Sequence, residues 1–205
     1  MTFNQISTIL NTKIVGIAGA GGLGSNCAMA LVRIGLGKLI IADFDIVSES
    51  NMNRQFYFRD QLGEKKIAAL KENLLRINPV LKYEGHDLVL TPENIPAIFQ
   101  GCDVIVEAFD RADQKEMLIE TVLTHFPEKP LVIGLGMAGI GMNDTIHCRQ
   151  VDNMYICGDE VTEIAPDCPP IAPRVGIVSN MQANVVTGIL INSEIASSEK
   201  RNSEL

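Results

Sequence analysis

Gly19, Gly21 and Gly24, with Gly22 beside them, have the G-x-G-x-x-G spacing of a turn that brings backbone N–H groups up to a phosphate. Without Cβ atoms, such residues let the chain turn sharply and let the following helix pack closely on its strand. Asp43 comes about twenty residues later, where a carboxylate can accept hydrogen bonds from a ribose. Glycines and one acidic residue would serve a nicotinamide nucleotide equally well. The residues that follow suit a triphosphate instead: Asp45 in Asp43-Phe-Asp45, Asn51, Arg54 and Gln55 in Ser50-Asn-Met-Asn-Arg-Gln55, and Lys66 at the end of Gly63-Glu-Lys-Lys66.

Arginine offers phosphate oxygens a rigid fork and lysine a mobile point charge, so Arg54 and Lys66 would neutralise charge developing at the phosphates. Asp110 follows the apolar run Asp103-Val-Ile-Val-Glu-Ala108. That is the carboxyl edge at which open α/β sheets bind ligands, and a carboxylate there holds Mg2+ against phosphate. Taken one at a time the residues have plainer readings, Arg54 and Lys66 as solvated charges and Asp110 as a helix N-cap. Their order after a phosphate turn is what points to ATP and Mg2+.

The elements that must position these residues alternate along the chain. Lys13 to Ala18 is an apolar strand entering the turn, Leu23 to Leu36 an amphipathic helix leaving it, and Lys38 to Ala42 the next strand. Glu64 to Asn78 carries Ile67, Leu70, Leu74 and Ile77 at helical spacing and is stopped by Asn78-Pro79. Leu81 to Leu90 reads as a strand, Pro92 to Phe99 as a short helix, Asp103 to Ala108 as a buried strand, Arg111 to His125 as a helix and Pro130 to Gly134 as another buried strand. The alternation predicts an α/β fold with a Rossmann-like, doubly wound, mostly parallel sheet. Gly136 to Gln150 reads as a hairpin or antiparallel strand, an antiparallel C-terminal extension of that sheet. Asp152 to Ile171 is loop-like, Pro173 to Ile191 a final helix, and residues 193–205 a polar, flexible tail.

At 205 residues and 46% hydrophobic, the chain suits one domain over residues 1–205. A net charge of -8 argues against nucleic acid as the main partner, which calls for clustered Lys and Arg. With no basic, apolar leader and no apolar run of about 18 residues, a cytoplasmic protein without a membrane partner is expected. The five cysteines form no C-x-x-C pair, which speaks against both a disulfide framework and a zinc site, so no zinc is expected. Cys27, Cys102 and Cys148 read as core or near-core residues, whereas Cys157 and Cys168 bracket a loop, Gly158 to Asp167. That loop is acidic through Asp159, Glu160, Glu163 and Asp167, which disfavours a thiolate unless Arg174 folds over it.

Gly19-Ala-Gly-Gly-Leu-Gly24, Asp43-Phe-Asp45, Ser50-Asn-Met-Asn-Arg-Gln55, Lys66 with Arg76-Ile-Asn-Pro79, Asp110 and Ala172-Pro-Arg-Val-Gly176 together resemble the ThiF/MoeB adenylyltransferases, relatives of ubiquitin-activating enzymes. The resemblance covers roughly residues 10 to 192 and looks most like the short, second type of ThiF associated with thiamine biosynthesis. It implies that Asp43 holds the ribose, Arg54 and Lys66 the triphosphate and Asp110 the Mg2+, with Asn51 and Gln55 completing the pocket wall. The implied reaction is attack by the C-terminal glycine carboxylate of a small ubiquitin-like carrier, ThiS, on the α-phosphate of ATP, in a homodimer. Such a step needs alignment and charge stabilisation but no general base, because the carboxylate is already ionised.

Compared with the longer proteins it resembles, the chain lacks an Arg-x-x-Arg-Gln segment in Met1 to Thr12, lacks paired C-x-x-C motifs and has a shortened loop before Ala172. Cys168 stands where the resemblance implies an acceptor thiol, with Cys157 as the alternative. Three other readings remain open: an enzyme of the same scaffold that adenylates and cyclises a carboxylate in a modified tRNA nucleoside, a nicotinamide oxidoreductase, and a carrier-binding module without turnover.

Overall fold

The computed structural model describes the backbone of residues 1–203 and the side chains of residues 1–196. Its centre is a seven-stranded sheet. Strand β1 (Ile14–Ala18) pairs in parallel with β2 (Lys38–Ala42) on one side and β4 (Val104–Glu107) on the other. Outward from β2 comes β3 (Lys82–His86); outward from β4 come β5 (Leu131–Gly134), β7 (Met154–Gly158) and β6 (His147–Val151), giving the order β3-β2-β1-β4-β5-β7-β6. All pairings are parallel except β6 with β7.

Alternate residues of the inner strands enter opposite cores. Val15, Ile17, Leu39, Ile41, Val104, Val106 and Val132 point to one face, while Ala18, Ile40, Ala42, Ile105, Leu131 and Ile133 point to the other. Burial on both faces is why these strands are continuous apolar runs with no polar alternation. The first face is covered by α1 (Phe3–Leu10), α2 (Gly22–Arg33), α3 (Lys66–Ile77) and α6 (Ala172–Ser203), through Leu10, Leu31, Leu70, Leu74, Val178 and Val186 among others. The second is covered by α4 (Ile95–Phe99) and α5 (Ala112–His125), through Ile95, Phe99, Leu118 and Val122.

The doubly wound, mostly parallel sheet matches the expected fold class. Of the two alternatives for Gly136 to Gln150, the structure shows the antiparallel strand, β6, at the sheet edge. The reading of Asp152 to Ile171 as loop needs correction, because the partner strand β7 lies within it. Met154, Tyr155 and Ile156 were obscured by the turn residues Asp152 and Asn153 just before them, yet they extend the parallel sheet beside β5. At the other end, α1 occupies a stretch to which no element had been assigned. Thr2 and Gln5 cap it reciprocally: Gln5 N donates to Thr2 Oγ1 (3.3 Å) and Thr2 N to Gln5 Oε1 (2.7 Å). Helix α6 continues past Ser193 to Ser203, and the rest of the expected tail, residues 204–205, lies outside the described residues.

Candidate functional site

Strand order reverses between β1 and β4, so the loops leaving their carboxyl ends diverge and leave a crevice. The loop after β1 is the glycine turn. Gly19 has φ +99°, a left-handed conformation, and a Cβ there would meet the Ala108 carbonyl at 2.9 Å. A Cβ on Gly24 would lie 1.9 Å from the Gly19 carbonyl, so the start of α2 is pressed against the turn it leaves. Asp43, at the end of β2, ties the turn down: its Oδ2 accepts from Ala20 N (2.7 Å) and its Oδ1 from Asp45 N (2.8 Å). The buried Tyr57 hydroxyl donates to the Ala20 carbonyl (2.7 Å); burial, with Asp43 nearby, raises its pKa and keeps it a donor.

The crevice encloses about 670 Å3 and is lined by Gly19, Gly21, Gly22, Asp43, Asp45, Arg54, Gln55, Lys66 and Asp110, so most of the residues singled out from sequence meet here. That volume suits a nucleotide-sized ligand. Lys66, at the first turn of α3, is buried and pairs with Asp45 (Nζ to Oδ2, 2.7 Å), whose carboxylate is half exposed. Arg54 is held by the Ser50 carbonyl (3.0 Å) and Asn53 Oδ1 (2.8 Å), and its own carbonyl accepts from Asn26 of α2 (2.8 Å). Gln55 Oε1 is buried without a hydrogen-bond partner, an unmet acceptor in the cavity wall. Asp110 is exposed in the loop between β4 and α5. An exposed carboxylate in a cavity wall fits Mg2+, which binds through one or two carboxylates, phosphate oxygens and water.

Beneath Asp110 lies a buried ion pair that sequence reasoning missed. Glu107, the last residue of β4, is fully buried; Lys115 Nζ, one turn into α5, donates to its Oε1 (3.0 Å) and Oε2 (2.8 Å) and to the Gly134 carbonyl at the end of β5 (2.8 Å). Phe109 N also donates to Glu107 Oε1 (2.6 Å), fixing the loop that presents Asp110. Burial pushes the Glu107 carboxyl upward, and the Lys115 charge and these hydrogen bonds oppose it. From α6, Gln182 Nε2 donates to the Glu107 carbonyl (2.9 Å), leaving Gln182 Oε1 buried and unpartnered. A signal existed: a carboxylate ending a buried strand needs a cation, and Lys115 is the first lysine after it.

Gly24, Asn51 and Cys168 do not line the cavity. Gly24 contributes close packing. Asn51 is buried and caps its own turn, its Oδ1 accepting from Ser48 N (2.9 Å), so it shapes the Arg54 segment from outside the wall. Cys168 is half-buried in the loop before α6, where a Cβ on Gly139 would sit 3.2 Å from its Sγ; Pro170, two residues on, does reach the cavity. The sequence reading had Cys148 packed away and Cys157 beside a loop, and the sheet reverses this: Cys157 is fully buried in β7 and Cys148 is exposed on β6. Arg174 folds back, buried, onto Asp159 and also donates to the Gly141 carbonyl. Burial works against ionised Asp159, but the Thr162 and Val161 amides, the Thr162 hydroxyl and Arg174 outweigh it and hold its carboxyl below the usual range. This pair fixes the 159–163 turn, whose Thr162 and Glu163 line the cavity with Leu135 and Gly136. Among the described residues, no group of three or more His, Cys, Asp and Glu side chains is arranged to hold a metal, and no helix is long and apolar enough to cross a membrane.

The ThiF family matches residues 4–204. Over 203 residues the chain is 30% identical to the adenylyltransferase and sulfurtransferase MOCS3 of Dictyostelium discoideum, covering 91% of this chain and 45% of that protein. It is 37% identical over 124 residues to the adenylyltransferase and sulfurtransferase uba4 of Aspergillus terreus, covering 60% of this chain and 25% of that one. The chain therefore spans less than half the length of these relatives. Among solved structures, the E. coli tRNA N6-threonylcarbamoyladenosine dehydratase TcdA in complex with ATP superposes with a TM-score of 0.79 at 20% identity, over 96% of this chain and 91% of that one. E. coli MccB with ATP superposes with a TM-score of 0.67 at 19% identity, over 90% and 57%.

Proposed function

For a chain that belongs to the ThiF family, we propose an ATP-dependent adenylyltransferase acting on the C-terminal glycine carboxylate of a small ubiquitin-like sulfur carrier of the ThiS type, in making the thiazole of thiamine. The observation that carries this reading is the convergence of the glycine turn, Asp43, Arg54, Lys66 and Asp110 on one cavity at the strand-order reversal. Relatives named as adenylyltransferases and a structural neighbour solved with ATP support it.

In this reading the amides at the start of α2 and the turn face the phosphates, with the positive end of the helix behind them. Asp43 keeps lone pairs free for ribose hydroxyls while its backbone bonds hold it still. Arg54 and Lys66 stabilise charge on the departing pyrophosphate. Lys66 is already oriented by Asp45, so little reorganisation is needed as that charge grows. Asp110 would hold Mg2+, which when bound neutralises phosphate charge. The carrier carboxylate attacks the α-phosphorus, the bond to the β,γ-unit breaks, and an acyl-adenylate and pyrophosphate result. We further propose a single domain acting as a homodimer in the cytoplasm, needing no zinc, with Cys168 as the thiol of any later covalent step.

The test is ATP–pyrophosphate exchange with purified carriers ending in Gly-Gly. Exchange that appears only with a ThiS-type carrier supports the proposal; exchange with none, despite measured ATP binding, refutes it. The near-complete superposition on TcdA favours one second reading, adenylation of a carboxylate in a modified tRNA nucleoside. Pyrophosphate release driven by tRNA and by no carrier would establish it in place of the first.

A further inference from the structure

We propose that Cys148 and Cys157 form a reversible dithiol–disulfide site on the β6 edge of the sheet, with exposed Cys148 as the entry point and buried Cys157 as the resolving thiol. The two are direct register partners across the β6–β7 pair, and their Sγ atoms lie 3.9 Å apart. Facing residues of an antiparallel pair have Cα atoms about 4.5–5.5 Å apart. Disulfides span about 4.4–6.8 Å between Cα atoms, with an S–S bond of about 2.05 Å. Bond formation therefore asks for side-chain movement only, on a backbone already at the required spacing.

The asymmetry of the pair sets the order of events. Cys148 is exposed, on a strand whose residues are all exposed, so a soluble oxidant reaches it first. Cys157 has no exposed surface and belongs to the core against α2, near buried Cys27. The oxidant class is a low-molecular-weight disulfide. The Cys148 thiolate attacks one of its sulfurs, the oxidant's S–S bond breaks, and one thiol departs, leaving a mixed disulfide on Cys148. Cys157 then attacks the Cys148 sulfur, its proton passes to the departing second thiolate, and the intramolecular bond closes. Two protein thiols lose two electrons in all, and one oxidant disulfide becomes two thiols. Burial holds the Cys157 thiol protonated, which makes the second step the slow one and the mixed disulfide observable. Neither cysteine lines the cavity described above.

The experiment treats the reduced chain with oxidised glutathione and follows intact mass and fragment spectra of non-reduced tryptic peptides; Arg149 separates Cys148 from the 150–174 peptide, which holds both Cys157 and Cys168, so fragmentation within that peptide assigns the bond. The expected result is transient gain of one glutathione, then net loss of two hydrogens, with Cys148 linked to Cys157 and full reversal by dithiothreitol. Cys148→Ser, at an exposed position, should fold normally and show neither change, Cys168→Ser should show both, and Cys157→Ser should stop at the mixed disulfide. Persistent glutathionylation of the unmodified sequence, a bond to Cys27 or Cys168, no reaction at Cys148, or loss of two hydrogens from Cys148→Ser would each overturn the proposal.

Discussion

Replacing Lys115 with Met removes the only cation within hydrogen-bonding distance of a carboxylate that has no exposed surface among the described residues. Glu107 would lose contacts at 3.0 and 2.8 Å and keep the Phe109 amide at 2.6 Å, too little to compensate a buried charge. Breaking a buried pair from one side costs about 3–5 kcal/mol. For a domain of this size that is roughly 6–20 °C in Tm. Urea denaturation across a pH series adds a second signature. Burial already raises the Glu107 carboxyl above its ordinary 4.5, and without Lys115 less opposes that rise. A raised folded pKa means that the native state binds protons the unfolded state has released, so the variant's deficit should shrink as the pH is lowered towards 4.5 and grow as it rises through the folded value. Lys115→Met/Glu107→Gln should recover most of the loss, because no charge remains to be stranded. Lys115→Met with unchanged stability at pH 8, or a double variant no more stable than the single one, would refute this account.

Lys66→Met makes a useful contrast: it keeps the buried stem, and the partner Asp45 is half exposed and can be solvated, so the expected outcome is a stability change under about 1 kcal/mol with a larger fall in exchange rate than in ATP affinity, read by calorimetry beside kinetics. Asp110→Ala should abolish ATP–pyrophosphate exchange with Tm unchanged, since the residue is exposed and fills no core volume. Gly24→Ala should destabilise the chain and weaken nucleotide binding together, because the new methyl falls 1.9 Å from the Gly19 carbonyl and α2 must move, as thermal melts with and without ATP would register. Arg174→Met should strand Asp159 in the same way that Lys115→Met strands Glu107, costing about 3–5 kcal/mol, and should expose the 159–163 turn to limited proteolysis.

The half of the cavity built from the glycine turn, Asp43 and Asp110 was legible because each of its parts has a local signature: a glycine spacing, a carboxylate one strand later, an aspartate after a buried run. Those signals survive in one dimension because β1, β2 and β4 are apolar on both faces, so their ends are easy to see. The opposite wall was not legible, since Leu135, Gly136, Thr162 and Glu163 reach the cavity only through the β5–β7 pairing and the Arg174–Asp159 contact. The cysteines were misplaced for the same reason. Apolar neighbours such as Tyr155 and Ile156 around Cys157 do not reveal which strand covers it, and an edge strand such as β6 looks like any short polar run. Asn51 failed differently: its position in the motif was read as contact, but its side chain closes the turn that aims Arg54.

Helix α6 has a consequence for the order in which the molecule is made. Its first residues are joined to the Arg54 segment, Ala172 N donating to the Asn53 carbonyl at 3.0 Å, and Val175 beside Gly22 lines the cavity. Farther along, Gln182 reaches back to the Glu107 carbonyl. The glycine turn and Asp43 leave the ribosome before the clamp that joins them to the opposite wall, which is translated after every strand of the sheet. A nascent chain stopped before Ala172 therefore carries the glycine turn without the closed cavity, and a ligand of that cavity can assist folding only after synthesis of α6 has begun.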